Sequence, residues 1–289
     1  MRKSYIKYLL SLLIFGSNGV VASYIHLSSY YIVLLRVSIG AALLLGAFFL
    51  TGHRFSIAQH RRDYLFVGLS GAAMAANWLF LYEAYVQIGV GLGTLISYIG
   101  PVFIIALSPF LLKERLTFPK VIALAAALLG AVFISGGAAD GLSLWGLLCA
   151  GLSAVAYTLM VLANKLSQEV KGVENATWQL LCAALVVAVF VGCKQGFAMQ
   201  IAPMDWIPIL LLGIFNTGIG CSLYFSSMGA LPAQSVAVCG YLEPLFAVLL
   251  SAIILHETMS PLQIVGAVLV IGGAVFGECY RGKGARAAE

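Results

Sequence analysis

Two stretches decide how this chain folds: YIGPVFIIALSPFLLKE at residues 98–114 and YLEPLFAVLLSAIILHE at residues 241–257. They lie 143 residues apart and align without a gap. Tyr98, Pro101, Phe103, Ser108, Leu112 and Glu114 fall on Tyr241, Pro244, Phe246, Ser251, Leu255 and Glu257. The same shift carries Gly130, Ala131, Val132 and Phe133 onto Gly273, Ala274, Val275 and Phe276. A register that survives two apolar segments and the turn between them marks an internal duplication.

Composition says what is duplicated. Of 289 residues, 62% are apolar and 9% charged, against about half and about a quarter in a soluble domain. So few charges cannot cover a soluble surface, and so much apolar mass excludes disorder. A membrane helix needs about 20 apolar residues. Such segments fall at 7–26, 28–51, 63–85, 91–112, 118–135, 142–163, 174–193, 205–227, 234–255 and 261–280. Arg2, Lys3 and Lys7 flank the first, which with nine spans behind it is a transmembrane helix rather than a signal peptide. Cys149, Cys182, Cys193, Cys221, Cys239 and Cys279 form no close pair and read as small hydrophobes.

Loop charge gives an expected orientation. With the N-terminus in the cytoplasm, inner segments hold fourteen of the sixteen Lys and Arg residues. Lys194 is the outer exception, and Arg36 lies within a span. This bias places both termini inside. Residues 1–137 and 138–280 each contain five spans, an odd number, so the second copy stands upside down relative to the first. Residues 281–289 form a basic cytoplasmic tail. The loop from Lys113 to Lys120 is basic and inner; its counterpart from His256 to Ser260 has no Lys or Arg and is outer. Inverted repeats recur in secondary transporters, where two related halves exchange inward-open and outward-open states.

The runs Leu81–Phe133 and Tyr224–Phe276 resemble the two EamA repeats of the drug/metabolite transporter superfamily. The likeness rests on the small residues before Pro101 and Pro244, the Leu-x-Glu turns at Leu112/Glu114 and Leu255/Glu257, and the Gly-rich helix that follows. It implies an all-α, ten-helix membrane bundle of two inverted five-helix repeats that moves small metabolites, often amino acids, across the bacterial inner membrane. It also implies a central cavity lined mainly by helices 1, 3, 4, 6, 8 and 9. The family often carries Glu before the Pro in both repeats; here the first repeat has Gly100, which leaves Glu243 alone.

Charge within the bilayer is costly, which singles out Arg36, Glu83 and Glu243. Glu243, near the midplane, is a candidate to carry a proton or receive a cationic group; a hydrogen bond between helices is the structural reading. Pro101 and Pro244 sit mid-helix and free the carbonyls of Ser97 and Gly240, either as packing kinks or as a polar floor for a ligand. Trp78, Tyr82 and Tyr85 form a stripe at i, i+4 and i+7 beside Glu83, suited to holding a cation or stacking an aromatic solute. An interfacial belt is the structural reading, and Tyr85 fits it best. Arg36 lies at a depth similar to Glu83, which allows a pair between them that would gate or brace the outer side but does not require one. Ser17, Asn18, Asn77, Tyr98, Tyr157, Asn216, Thr217, Tyr224 and Tyr241 complete the polar interior, shared between solute contact and helix joining. Gly40, Gly46, Gly68, Gly71, Gly272 and Gly273 are expected at close helix approaches. Glu114 and Glu257 are turn and interface residues.

No phosphate-binding loop occurs, and His26, His53, His60 and His256 lack metal spacing. The expectation is therefore a transporter and not an enzyme, without cofactor, metal or nucleic-acid partner. Its partners are a small-molecule substrate, the lipid bilayer and, through Glu243, protons. Export of an amino-acid-like metabolite is the first expectation. Uptake or exchange of a quaternary ammonium solute such as choline is the second. A membrane enzyme or an assembly subunit is the alternative of another class.

Overall fold

The structure is a computed structural model describing residues 2–88, 93, 96–114, 116–135, 143–254 and 260–279. Arg115, the turn holding Leu255, His256 and Glu257, and the tail 281–289 lie outside the described residues. Among the described residues, ten apolar helical segments follow one another: α1 Arg2–Ala22, α2 Ser29–Leu50, α3 Arg61–Ile88, α4 Gly100–Leu111, α5 Phe118–Ser135, α6 Leu144–Leu166, α7 Gly172–Lys194, α8 Pro203–Met228, α9 Ala233–Ile254 and α10 Pro261–Cys279. Seven are long and apolar enough to cross a membrane by themselves; α4, α5 and α10 are shorter apolar helices.

The inversion is visible in the packing. α3 packs on α6 as α8 packs on α1, and α4 packs on α6 as α9 packs on α1. α3 meets α7 as α8 meets α2, while α2–α7 and α5–α10 pair with their own equivalents. The α5–α10 contact is reciprocal to the residue. A Cβ on Gly130 would stand 2.6 Å from the Gly266 carbonyl oxygen and 2.8 Å from Val270 Cγ2. A Cβ on Gly273, its equivalent, would stand 2.8 Å from the Ala123 carbonyl oxygen and 3.2 Å from the Ala127 nitrogen. Ala123 and Ala127 are themselves the equivalents of Gly266 and Val270, and partner numbers fall as numbers rise. Such an antiparallel, self-complementary contact requires a two-fold axis across the helices.

Small residues let backbones touch where no water drives association. Gly71 of α3 lies against the Gln179 carbonyl of α7, and Gly40 of α2 against Thr217 of α8. Gly68 makes only ordinary van der Waals contact, while Gly46 and Gly272 face open space. The expected close-approach role therefore fails at Gly46 and Gly272, because glycine content alone does not say which way a position points.

One end of the bundle is tied shut. α4 ends with Lys113 in the left-handed region at φ 55°, and the Glu114 amide reaches back to the Ser108 carbonyl at 3.4 Å, a helix-ending turn. The turn delivers the Glu114 carboxylate to the start of α9, where it accepts from the Ala233 and Gln234 amides at 2.6 and 3.2 Å. Lys165 Nζ donates to the carbonyls of Met228 and Leu231 in the α8–α9 turn. Lys120 Nζ and Tyr5 Oη both reach Ser235 Oγ, at 2.9 and 3.2 Å. Capping side chains contribute about 0.5–2 kcal/mol, so Glu114→Ala is expected to lower stability by that amount, read as a drop in the thermal midpoint of purified protein. An unchanged midpoint would show that the cap bears no load.

Candidate functional site

Four of the helices lining the interior are irregular, and the irregularities meet. α1 is interrupted at Ser17, between Arg2–Gly16 and Asn18–Ala22. Asn216 Nδ2 spans that break, donating to the Ile14 carbonyl at 2.8 Å and to Ser17 Oγ at 2.7 Å. Asn216 sits in a π-helical stretch of α8, Leu211–Ile219, a form often found at functional sites. α9 is interrupted at Tyr241, between Ala233–Gly240 and Leu242–Ile254. Before α4 the chain turns at residues 98–99.

The prolines account for two of these interruptions. Pro101 and Pro244 each lie in the first turn after one, and the residues at the interruptions, Ile99 and Tyr241, keep right-handed helical dihedrals, so the helix kinks at its proline, as the sequence leads one to expect. The two breaks touch. Tyr241 Oη donates to the Tyr98 carbonyl at 2.6 Å, and the rings of these equivalent residues lie 5.8 Å apart. Carbonyls freed from a helix ladder at such depth are tolerated where they are buried in protein or line a cavity.

A cavity of about 150 Å³ occupies this junction. It is lined by α1, α3, the turn into α4, α6, α8 and α9, the set the family resemblance implies. Equivalent positions face it in pairs: Trp78 and Cys221, Leu81 and Tyr224, Ser97 and Gly240. The backbone is nearly symmetric there while the side chains are not, so the cavity has chemically distinct walls. The lining climbs α3 from Met74 to Tyr85. The start of α3 adjoins the Lys165 end of α6, because Asp63 accepts from the amides of Gln168 and Glu169. The cavity therefore runs away from the Glu114 seal toward the opposite end of the bundle.

Of the sequence candidates, Asn18, Asn77, Trp78, Ser97, Tyr98, Pro101, Tyr157, Tyr224 and Glu243 line the cavity. Glu243 is the one carboxylate among the described lining residues, which include no Lys, Arg or His. Gly100 explains why it is alone. A Cβ at Gly100 would lie 2.9 Å from Tyr157 Cδ1 and 3.0 Å from the Ala154 carbonyl, so α6 occupies the place of a second carboxylate. Asn77 donates to Ser153 at its carbonyl and Oγ, at 3.0 and 2.9 Å, and Ser97 Oγ meets Ser153 Oγ at 2.9 Å. Tyr157 and Tyr224 hydroxyls meet at 3.4 Å.

Other candidates stand elsewhere. Tyr241 and Pro244 are buried behind the lining, and Tyr82 packs on Tyr85 with ring centroids 5.6 Å apart. Tyr85 lines the cavity, against the belt reading. Arg36 and Glu83 do not pair. Glu83 pairs with Lys194 at the end of α7, 3.2 Å away, and accepts from Trp145 and Gln87, each at 3.3 Å. Arg36, 3% exposed, points inward. It donates from Nε to Thr217 Oγ1 at 3.0 Å and from Nη2 to Asn18 Oδ1 at 3.4 Å, and its Cζ lies 4.6 Å from the Trp78 ring centroid. Thr217 is placed for this by the π-helical turn, donating to the carbonyl of Leu212, five residues back, at 2.8 Å. Nothing in the sequence singles out the apolar lining, Phe15, Leu81, Cys221 and Phe225 among it, except that the repeat register pairs Cys221 with Trp78.

Comparison with known proteins gives a consistent result. A family model described as the EamA-like transporter family matches residues 2–136 and 144–276. The chain is 25% identical over 273 residues to an uncharacterized transporter, YxxF, of Bacillus subtilis (strain 168), covering 93% of this chain and 87% of that one. It is 28% identical over 220 residues to a probable terminal-alkyne amino-acid exporter of Streptantibioticus cattleyicolor, covering 74% and 73%. A crystal structure superimposes with a TM-score of 0.80 at 20% identity, covering 96% of this chain and 97% of that one, which shows a shared fold.

Proposed function

This chain belongs to the EamA-like transporter family, a family of multi-pass membrane proteins with bacterial members described as inner membrane transporters, and from that premise we propose that it is a secondary transporter carrying a small metabolite, an amino acid or a related compound, across the bacterial inner membrane by alternating access. The observation that carries this is the place of the cavity, at the meeting of the two inverted repeats, floored by broken helices and holding the half-buried carboxylate of Glu243. Broken helices at a repeat interface are the setting in which secondary transporters bind solutes. The Glu114 seal closes one end, and the cavity leads toward the other. Loop charge puts the sealed end in the cytoplasm with both termini. Export is the working direction, in keeping with the exporter among its relatives. Glu243 alternates between a proton and the solute, which couples flux to a proton gradient.

A second reading, a carrier of choline-like quaternary ammonium solutes, draws on Trp78, Tyr85 and Tyr98 beside that carboxylate. Purified protein screened by thermal shift against amino acids, amines and quaternary ammonium compounds, then tested for flux in proteoliposomes, separates the readings. At least one solute is expected to raise the midpoint and to cross vesicles saturably. Neither stabilisation nor flux with any solute class would overturn transport and favour an assembly subunit; chemical conversion of a solute would point to an enzyme.

A further inference from the structure

Resting on the transport reading, we propose that the cavity recognises both ends of a zwitterion: Glu243 takes the ammonium group of an α-amino acid, and Asn18, oriented by Arg36 behind it, takes the carboxylate. Two charges inside the bundle do not meet. Arg36 is almost wholly buried, and no carboxylate among the described residues lies within 4.0 Å of it. A buried cation without an anion is costly, and its neutral partners, Thr217, Asn18 and the Trp78 face, offset that only in part. Glu243 stands on the cavity wall, and among the described residues no cation touches it either. Both poles reach the same space, since Arg36 stacks on Trp78, which lines the cavity with Glu243. A split pair of this kind leaves a positive and a negative pole in one cavity.

The positive pole is presented indirectly. Asn18 gives its amide oxygen to Arg36, so its Nδ2 hydrogens are the ends left for other partners. Asn18 lines the cavity and is half-buried. Arg36 thus fixes which face of the amide a solute meets and adds its charge behind that face; it is a positioning residue. A monocation would gain Glu243 and be repelled by Arg36. A monoanion would meet the reverse. A zwitterion satisfies both, and the apolar walls of Phe15, Leu81 and Phe225 suit an apolar or aromatic side chain.

The test uses three probes of matched body: L-phenylalanine, 2-phenylethylamine, which lacks the carboxylate, and N-acetyl-L-phenylalanine, which lacks the ammonium. Affinities are measured on the purified full chain by calorimetry or thermal shift. Wild type is expected to bind phenylalanine about tenfold or more tighter than either analogue, because a site built for a polar group leaves its own groups unpaired when that group is absent. Arg36→Gln is expected to remove the preference for phenylalanine over the amine while the amine binds as well or better. Asn18→Asp, which gives Arg36 a carboxylate partner and withdraws the amide donor, is expected to do the same without leaving the cation bare, and covers the case that Arg36→Gln does not fold. The proposal is overturned if wild type binds the amine as tightly as the amino acid, if both variants weaken the two probes equally, or if none of the three binds. Transport of some other solute alongside any of these results would leave the transporter reading standing; absence of flux for every solute class would remove that reading as well.

Discussion

Glu243→Gln is expected to abolish uphill transport driven by a pH gradient and to weaken solute binding by about thirtyfold or more. The side chain is conserved in volume, so packing around the α9 break is kept, and the two proteins differ in charge and proton exchange alone. Truncating one partner of a desolvated charge pair costs about 2–5 kcal/mol, and about 1.4 kcal/mol is tenfold in affinity. Tyr98 before α4 and Tyr157 of α6 line the cavity together with Glu243. Glu243 is the one carboxylate among the described lining residues, so a pH response that the Glu243→Gln variant loses belongs to Glu243. In wild-type vesicles, acidifying the side that receives the solute is expected to speed its release, because a proton on Glu243 replaces the bound ammonium. Vesicles holding the Glu243→Gln variant are expected to show no such acceleration. Intact pH-driven flux in the variant would end the coupling proposal, and intact affinity would remove Glu243 from the site.

Much of this was legible in the chain, and the part that was not has a physical cause. Hydropathy locates spans because each must be apolar along its length, and each expected segment holds a helix among the described residues, although of 91–112 the helix described is Gly100–Leu111. The duplication shows in a gapless register, and the number of spans per copy dictates inversion. Depth in the bilayer follows from position within a span, which puts Arg36 and Glu83 at one level. Direction around the helix axis does not follow, since it depends on neighbours that only the fold supplies. Glu83 turns to Lys194 because α7 ends beside α3, while Arg36 turns inward to Thr217. That contact needs the widened π turn of Leu211–Ile219, for which no residue type is diagnostic. Pro101 and Pro244 mark irregular helix in sequence, but not what each irregularity meets. Tyr241 donates to the Tyr98 carbonyl, and that contact joins residues from different repeats.

The second large effect tests the two-fold axis on which alternating access depends. Gly273→Ala is expected to destabilise the protein by about 1–3 kcal/mol, the usual cost of overpacking, while Gly272→Ala, one residue away, is expected to be neutral or slightly stabilising, within about 1 kcal/mol, as alanine replaces glycine in a helix. The contrast arises because Gly273 faces the α5 backbone, with the Ala123 carbonyl 2.8 Å from a new methyl, whereas Gly272 meets nothing within 4 Å. A carbonyl on a regular helix cannot swing aside as a flexible side chain can, so the helices must separate. Gly130→Ala places the equivalent methyl 2.6 Å from the Gly266 carbonyl and is expected to match Gly273→Ala, since both open the same reciprocal contact from opposite sides. Their combination is expected to cost less than the sum, because residues sharing one interface are coupled: once α5 and α10 have moved apart for the first methyl, the second meets less resistance. Thermal midpoints of the four variants in one detergent decide the matter, with a loss of about 2–4 °C per kcal/mol in a protein of this size class. Equal midpoints for the Gly272 and Gly273 variants would mean that α5 and α10 do not meet along this face, and an unequal response at Gly130 and Gly273 would mean that they meet without the symmetry that lets one half take the place of the other.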